Sequence, residues 1–579
     1  KDPENVKKGT VPYSETENST GNSSGMDEYF SSIETPAYAH TFLLSSVLSA
    51  DYEDLTGDGP TDDDLGAYTR FNYKQTTGQY RWRIPYPTAI IPEGSVGIAS
   101  YNHGLNSNTE DQKGSIVEGE KELKYIETIE TKTHVAYFRL ADREDAKEFD
   151  GEDHMQNITH IFLYSKPEYQ KLLDANTNFE TASIDLLSET AIKVAYFNYE
   201  YLLCKNIPNH SDYNPTTQTG SGKLTLTSLY FTYGDSFMGR HTPYTFEYHE
   251  DYTDNGNTVP FNYSLKGYDV WGNYKPNEAN SYEVDGENNP LSPQEFPFVQ
   301  QEDKDLQDQF ASAWSLSTIK LPSGGKIDID YETDDYQYVQ DEKAMRMFKV
   351  VGVTNEDQGP PDETHIGHTN LYNNGNYAQD AKYLIVQIPE TGRLTGEEFR
   401  EKYIGDHFEK PIYFRFMLNM SKDGYNGETP NDFDYVTGYF KIDPNPELQI
   451  EETFYDSEGN WYGAIPMAFS DMEGGVSSNE DVNPISKAGW YFGRKNLPRT
   501  VYGLPLYTDG SVGQVMRQLK EDFGSFDEII IGPNAKLRNQ KLIARKFVPE
   551  KSWIRLLEPN DRKLGGGVRV KKIEMHDQW

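Results

Sequence analysis

The segment at residues 314–338, WSLSTIKLPSGGKIDIDYETDDYQY, restricts the possible folds more than any other stretch of the chain. Apolar and polar residues alternate on both sides of a Pro-Ser-Gly-Gly turn, where proline fixes φ and glycine accepts positive φ. Because strand side chains alternate between two faces, this pattern predicts a long β-hairpin with one apolar and one acidic face. We expect the buried face to carry Trp314, Leu316, Ile327, Ile329 and Tyr331. We expect the solvent face to carry Asp328, Asp330 and Glu332.

An eight-residue pattern recurs three times and predicts bent strands. The segments 224–231, 314–321 and 568–575 each have apolar residues at positions one, three, six and eight. The alternation slips by one residue in the middle of each segment, as it does where a β-bulge inserts an extra residue. Each copy lies beside a glycine-containing turn. The pattern therefore predicts a large bent sheet whose strands share one design.

These residues also carry a family resemblance. The run W-x-L-x-x-I-x-L-P-x-G-G-x-I-x-I-x-Y at 314–331 resembles the strand-turn-strand unit of Rhs/YD-repeat shell proteins, close to the toxin-complex B component. The run YDVWGN at 268–273 resembles the YD-x-x-G-N core of that repeat. The resemblance covers about residues 220–340, with a weaker echo at 553–579. It implies a β-sheet shell or cocoon winding that is exported to or beyond the cell surface.

Composition narrows the classes of partner. Lys and Arg number 54 against 93 Asp and Glu, a net charge of −39. This balance argues against nucleic acid or an anionic membrane as a partner, because both require a basic face. The single cysteine excludes an internal disulfide, and no run approaches the ~18 apolar residues that a membrane-spanning helix needs. The aromatic, acidic and nearly cysteine-free composition resembles that of giant secreted surface proteins of Bacteroidota.

The acidic segment at 54–66, DLTGDGPTDDDLG, is the candidate metal site. Gly57 and Gly59 allow tight turning between carboxylates whose spacing is typical of acidic calcium loops. Leu65 stands where an EF-hand-like loop places its last acidic ligand, so an acidic surface turn without an ion is the alternative interpretation. The predicted Ca²⁺ ligands are Asp54, Asp58, Asp62 and Asp64.

The element patterns divide the chain into five regions and predict a mainly β fold. We expect a large bent antiparallel sheet of the Rhs/YD-like shell type with an α+β insertion. The expected regions are an exposed lead-in at 1–30, an N-terminal β region with the acidic loop at 31–110, the Rhs/YD-like sheet at 111–340, the α+β insertion at 341–500 and a return to the sheet at 501–579. Helices are expected at 166–173, 396–404, 484–497 and 511–523.

Residue types that carry chemistry are present without the partners they need. His365 and His368 are three apart, but no HExxH or distant Cys/His set completes a zinc site, so a solvated loop is favoured. Cys204 has no adjacent histidine or helix N-terminus and is interpreted as a small buried residue. Carboxylates are too numerous to nominate a glycosidase pair. We therefore predict that the chain is not an enzyme and name no catalytic residue.

Three classes of function remain. The first is a structural or adhesive segment of a large secreted or cell-surface protein, acting as a β scaffold in a fibre or surface assembly. The second is the wall of an Rhs-like cocoon that encloses a toxin payload, and the third is a glycan-binding or carbohydrate-active module. The first predicts an extracellular or cell-surface location. Its expected partners are other segments of a longer parent chain and, in a homo-oligomer, further copies of this one.

Overall fold

The computed structural model describes most residues of the chain. They are 10–14, 16–22, 30–75, 78–87, 97–101, 114–149, 151–214, 217, 220, 222–234, 236–265, 267–276, 281–284, 287–290, 303–355, 360–373, 379–420, 433–445, 449–472, 481–496, 533–539, 541 and 543–577. The helix predicted at 511–523 lies outside these residues.

The prediction of a mainly β protein with large antiparallel sheets is confirmed. Strands account for 46% and helices for 15% of the structure. One sheet has eleven strands and a second has seven, and both are antiparallel throughout. The Rhs-like shell type of the first sheet stays a prediction.

The strands are numbered β1–β31 in chain order. The eleven-stranded sheet contains β2 Ser46–Leu48, β3 Tyr68–Gln75, β8 Lys124–Thr131, β9 His134–Lys147, β10 His154–Ser165, β11 Lys193–Leu203, β12 Lys223–Thr232, β13 Tyr244–Tyr248, β18 Leu316–Lys320, β19 Lys326–Tyr336 and β31 Lys563–His576, in that spatial order. The second sheet has the order β25 Phe433–Phe440, β24 Ile412–Asn419, β30 Trp553–Leu557, β22 Met345–Thr354, β23 Tyr383–Ile388, β27 Trp461–Pro466 and β26 Phe454–Tyr455.

The remaining strands form small sheets. They are β1 Thr10–Tyr13, β4 Tyr80–Ile84, β5 Gly97–Tyr101, β6 Gly114–Ser115, β7 Val117–Lys121, β14 Asp251–Asp254, β15 Asn257–Pro260, β16 Ser281–Val284, β17 Glu287–Pro290, β20 Tyr338–Val339, β21 Glu342–Lys343, β28 Ser470–Asp471 and β29 Asp481–Val482.

Three of the four predicted helices are confirmed. The α-helices are α1 Lys166–Asp174, α2 Ile184–Glu189, α3 Lys304–Ala311, α4 Gly396–Phe399, α5 Pro484–Asn496 and α6 Pro533–Asn539. A π-helical turn, Arg400–Ile404, extends α4 over the rest of its predicted span. Thr395 begins α4 as a capping box with Glu398, because each side chain accepts a hydrogen bond from the other residue's backbone N–H. Single 3₁₀ turns occur at Met238–His241, Glu363–His365, Gly405–Phe408 and Pro549–Lys551.

The three predicted β-bulges are confirmed at the positions where the sequence alternation slips. The register between neighbouring strands skips Thr227 in β12, Ser317 in β18 and Lys571 in β31. Each skipped residue is at position four of the eight-residue pattern. The extra residue returns the apolar side chains at positions six and eight to the face that carries positions one and three.

Two further strands have the same bulge. The register skips Glu127 in β8 and Thr159 in β10. Both bulges lie inside a four-residue run with apolar ends, IETI at 126–129 and ITHI at 158–161. The eleven-stranded sheet therefore contains five strand pairs, each made of a strand with no extra residue opposite the bulge, called the regular strand, and then a bulged strand: β3–β8, β9–β10, β11–β12, β13–β18 and β19–β31.

The five bulges advance across the sheet by a constant step. In each bulged strand, position five is the residue directly after the skipped one. These five residues pair, on the regular strand of the same strand pair, with Asn72, Arg139, Asn198, Glu247 and Asp330. On the regular strand of the next pair, the first four of them face Tyr137, Tyr196, Thr245 and Asp328. Each of these four residues lies two positions before the residue that pairs with position five of the next bulged strand. Tyr137, for example, faces Thr128 and lies two positions before Arg139, which pairs with His160. One register rule, an offset of two residues, therefore relates each strand pair of the sheet to the next.

The short strand β2 follows this rule. Ser46 pairs with Arg70, which lies two residues before Asn72. Ser46 therefore has the pairing position of a position-five residue, and the run LSSV at 44–47 has apolar ends like the runs of the bulged strands, but β2 pairs with β3 over Ser46–Leu48 without a break in register. The first sheet thus begins with a short strand in this register and continues with five complete pairs.

Each sheet has its own packed core. On the large sheet, α1 and α2 cover a cluster of buried residues: Tyr137, Phe162, Tyr164, Leu172, Phe179, Leu187, Ala191, Val194 and Tyr196. On the second sheet, α5 and α6 lie against the larger core, which contains the fully buried Trp490 and Phe416. Because β30 belongs to the second sheet, the chain returns to the first sheet with β31.

The hairpin at 314–338 forms, but its apolar face is not fully buried. Four of the predicted buried residues are half-buried: Leu316, Ile327, Ile329 and Tyr331. The neighbouring strand β31 carries exposed apolar residues such as Ile573, so this end of the sheet is only partly covered. Trp314 precedes the strand with a φ of 58° and packs instead against a separate cluster with Phe310. On the acidic face, Asp330 is exposed, whereas Asp328 and Glu332 are partly covered. They form ion pairs to Lys326 and Arg569, respectively.

The YD-x-x-G-N run forms a tight turn, and the turn occurs twice. The Asp269 carboxylate accepts hydrogen bonds from the backbone N–H groups of Trp271 and Asn273, both at 2.9 Å. The run YDSEGN at 455–460 repeats this geometry, because Asp456 accepts from the N–H groups of Glu458 and Asn460, also at 2.9 Å. The glycines have φ of 87° and 88°, which an L-residue adopts only with strain.

Candidate functional site

The four predicted calcium ligands lie in one acidic loop but serve different local contacts. The Asp54 carboxylate accepts hydrogen bonds from the backbone N–H groups of Gly57 at 2.6 Å and Gly59 at 3.0 Å. The buried Asp64 carboxylate accepts from the backbone N–H groups of Thr61 at 2.8 Å and Leu55 at 3.0 Å. Hydrogen bonding from the Thr61 backbone is the main reason that the pKa of Asp64 is lowered. These two aspartates therefore hold the loop's own backbone.

The other two predicted ligands point to other partners. Asp62 forms an ion pair with Lys166 at 2.5 Å and accepts a hydrogen bond from the Tyr68 hydroxyl at 2.6 Å. Burial disfavours the Asp62 carboxylate, but these two hydrogen bonds outweigh burial and lower its pKa. Asp58 is exposed and accepts from the Thr56 hydroxyl at 2.5 Å. The loop is ordered by its own donors, and the calcium site stays a prediction.

Calcium binding by this loop is testable by titration. If the four aspartates bind Ca²⁺, isothermal titration calorimetry of the chain gives a saturable heat that disappears in the variant Asp54→Asn, because Asp54 is the first ligand of the predicted set. The variant Asp142→Asn, at an exposed carboxylate outside the loop, is the matched control. Absence of a saturable heat from the native chain would contradict the prediction.

A different group of donors comes closest to a metal site among the described residues. One ligand atom each of Glu144, His210 and Asp212 lies within 4.8 Å of the others. No local pattern in the sequence indicates this group, because a strand and a later loop contribute to it. His210 is buried, and its Nε2 lies 3.9 Å from the Glu144 carboxylate, too far for a hydrogen bond.

Histidine tautomerism argues against a metal at this group. The backbone N–H of Asp212 donates to His210 Nδ1 at 3.1 Å, so Nδ1 carries no proton. In neutral imidazole the proton then lies on Nε2, the atom that faces Glu144. A protonated Nε2 has no lone pair for a cation, and a metal-bound histidine normally donates from its other nitrogen. The group is therefore better described as a capped turn than as a metal centre.

Lys563 is a second unusual titratable group. Its side chain is buried at the start of β31, and its ammonium donates to the Met345 carbonyl at 2.7 Å. Burial lowers the pKa of Lys563 to about 7, Glu558 opposes that shift, and Arg555 and Arg346 add to it. The ion pair between Arg346 and Glu558, 3.7 Å apart, lies in the same buried region. We interpret this group as structural, because its members contact one another and the backbone.

Lys563 makes the stability of the chain depend on pH. The folded pKa is lower than the unfolded value of ~10.4, so between the two values the unfolded chain binds more protons and stability rises with pH. From pH 7.5 to 9 we expect this residue to add at most about 1.4 kcal/mol of unfolding free energy per pH unit. Urea unfolding of the native chain and of Lys563→Met at both pH values measures this. Equal pH slopes for the two proteins would contradict the prediction.

A groove lies between α5 and the edge strand β25 of the second sheet. Its volume is about 730 Å³. Exposed aromatic side chains, including Tyr439 and Tyr491, line it together with three lysines: Lys441, Lys487 and Lys495. Sequence reasoning missed this groove, because its residues come from segments more than 40 positions apart in the chain, such as 439 and 491. Aromatic faces beside cations suit ring-shaped or anionic ligands.

The two remaining sequence candidates have structural roles. Cys204 is half-buried, and burial raises its pKa to about 11, so the thiol is protonated at neutral pH. His365 is buried, whereas Glu363, Thr364, Gly367 and His368 around it are exposed, so the segment is solvated except at this side chain. Its Nδ1 accepts a hydrogen bond from the backbone N–H of Asp362 at 3.3 Å, so the ring caps the short helical turn that contains it.

Comparison with known proteins leaves the chain without an assigned family. No helix among the described residues is long and apolar enough to span a membrane. No family model matches the chain, and no curated protein or solved structure matches it either.

Proposed function

We propose that the chain is a structural segment of a large secreted or cell-surface protein, in which the eleven-stranded sheet acts as a β scaffold rather than as an enzyme. The observation that carries the proposal is the repetition of one strand pair five times with a constant two-residue step. Repetition of one strand pair in a constant register produces an extended surface, whereas an active site requires a unique arrangement of side chains.

The charges of the sheet support the same proposal. Across the last pair, Arg569 of β31 forms an ion pair with Glu332 at 2.8 Å and another with Asp334 at 3.3 Å. Carboxylates on β19 are thus used to hold a neighbouring strand. The resemblance to Rhs/YD-repeat proteins suggests a more specific scaffold, the wall of a cocoon that encloses a toxin payload. The two YD-x-x-G-N turns favour this more specific proposal.

Surface labelling of intact cells tests the proposal. Antibodies raised against the purified chain are expected to label intact cells of the source organism or to detect the protein in the culture medium. An antibody against a cytoplasmic marker, applied to the same cells, is the control for lysis. A signal that appears only after lysis would contradict an extracellular scaffold.

The groove beside α5 favours glycan binding as a second candidate function. Tyr439 is 60% exposed and Tyr491 is 54% exposed, so both rings are available for stacking against a sugar. Truncation of both to alanine is expected to weaken binding of any glycan found by array screening at least tenfold, since stacking on aromatic faces contributes about 1 kcal/mol or more per ring. Tyr338→Ala, at a tyrosine that is 53% exposed outside the groove, is the matched control. Equal loss in both proteins would contradict a role for the groove.

A further inference from the structure

The last strand of the large sheet, β31, has one described neighbour. β19 pairs with one edge of β31, and β31 ends the spatial order of the sheet. Residues 568–573, 575 and 576 are exposed, and Glu574 is partly covered. An edge strand directs about half of its N–H and C=O groups away from its neighbour, so this edge can accept another strand.

The four interior pairs show what lies at this edge elsewhere in the sheet. β8, β10, β12 and β18 are bulged strands like β31, and each is paired along the same edge with the regular strand that follows it. In each case the position-five residue begins the pairing, as Thr318 does with Asp328. The equivalent residue of β31 is Lys572. The pairing rule therefore specifies both the edge and the register of an incoming strand.

The charges of β31 specify the chemistry of that strand. Residues 568–576 contain Arg569, Lys571 and Lys572 against one carboxylate, Glu574, in a chain of net charge −39. Over these residues each β31 strand carries a net charge of +2, three cations less one carboxylate, so two copies of β31 repel each other overall. A strand with the sequence of β19 in the β18–β19 register would instead place Asp328 opposite Lys572 and Lys326 opposite Glu574, with Ile327 opposite Ile573. Directly opposite pairs of unlike charge stabilise strand pairing.

We propose that residues 572–576 of β31 form a docking edge for an extended acidic peptide strand of the regular type, with a carboxylate opposite Lys572 and an apolar residue opposite Ile573. The inference rests on the scaffold function proposed above, because it specifies how the scaffold is extended. Its test uses purified protein, so its failure and the failure of the surface location are separate results.

Amide hydrogen exchange of the full chain with two short peptides tests the docking edge. The first peptide, GGKIDIDY, has the sequence of residues 324–331 and blocked ends. The second, GGDIKIDY, has the same composition but exchanges the lysine with the first aspartate, so that like charges face Lys572 and Glu574. At millimolar concentration the first peptide is expected to slow exchange in segment 568–577 roughly threefold. The second is expected to require roughly tenfold more peptide, since each cross-strand charge pair alters pairing several-fold.

Three results would overturn the proposal. Equal slowing by both peptides would show that charge and register do not select the strand. No slowing by either peptide would show that the edge does not accept a strand. Slowing that appears as the chain itself is concentrated, with no peptide present, would assign the edge to a second copy. In all three cases, protection of residues 223–232 inside the sheet shows that the protein remained folded.

Discussion

Replacement of Asp380 with alanine is expected to destabilise the seven-stranded region by about 3–5 kcal/mol. Asp380 and Arg538 are both fully buried and are joined by two hydrogen bonds of 2.5 and 2.7 Å. The Arg538 guanidinium also donates to the Asn373 carbonyl at 3.0 Å and lies over the Tyr372 ring. Without the carboxylate, a buried positive charge loses its counterion, and its desolvation is no longer compensated.

Urea unfolding followed by tryptophan fluorescence measures this effect, because Trp490 and Trp553 are buried in the same region. The matched control is Asp561→Ala, which removes the surface ion pair between Lys343 and Asp561 at 3.1 Å. Both side chains of that pair are at least half exposed, so the control is expected to cost less than about 1 kcal/mol. Similar unfolding midpoints for the two variants would contradict a structural role for the buried pair.

Deletion of Thr227 is expected to destabilise the large sheet by about 3 kcal/mol. Thr227 is the extra residue of the β12 bulge, and its removal shifts one half of the strand by one position. Leu224 and Leu226 would then move to the opposite face of the sheet or lose their pairing with β11. Full burial of a leucine contributes ~1.5–3 kcal/mol, and these two are half-buried, so their combined loss gives the expected value.

The control for the deletion is Thr227→Ser, which keeps the number of residues and a hydroxyl that can donate to the Asn198 carbonyl. It is expected to change the unfolding free energy by less than about 0.5 kcal/mol. Thermal unfolding followed by circular dichroism at a β-sheet wavelength measures both variants. A deletion variant as stable as Thr227→Ser would show that the bulge does not set the register.

Local patterns predicted the elements of this fold well. The slip in alternation at 224–231, 314–321 and 568–575 located three bulges, because a bulge changes which residues face the core and leaves that change in the sequence. The bulges at Glu127 and Thr159 were missed, since position one of the pattern is not apolar in their strands, where it is Lys124 and Gln156, respectively. An apolar-x-x-apolar run alone would have identified them.

Features that depend on distant residues were not predictable in the same way. The second YD-x-x-G-N turn, at 455–460, is an exception, because its motif lies in one short run of the sequence. By contrast, no local pattern joins Asp380 to Arg538 or forms the groove beside α5. Their positions follow from the order of strands in the second sheet, where β30 lies between β24 and β22. Strand order of this kind is set by long-range packing.

Cysteine pairs across the bulges test most directly the claim that the sheet is one repeated strand pair. In a background with Cys204→Ser, we expect the variant Tyr199→Cys with Leu226→Cys to form a disulfide under mild oxidation, because these two residues face each other beyond the β12 bulge. The equivalent pair in β13 and β18, Tyr248→Cys with Leu316→Cys, is expected to do the same. Disulfides that form instead from Tyr199→Cys with Thr227→Cys, and from Tyr248→Cys with Ser317→Cys, would contradict the account, since that pairing exists only if the strands have no bulge.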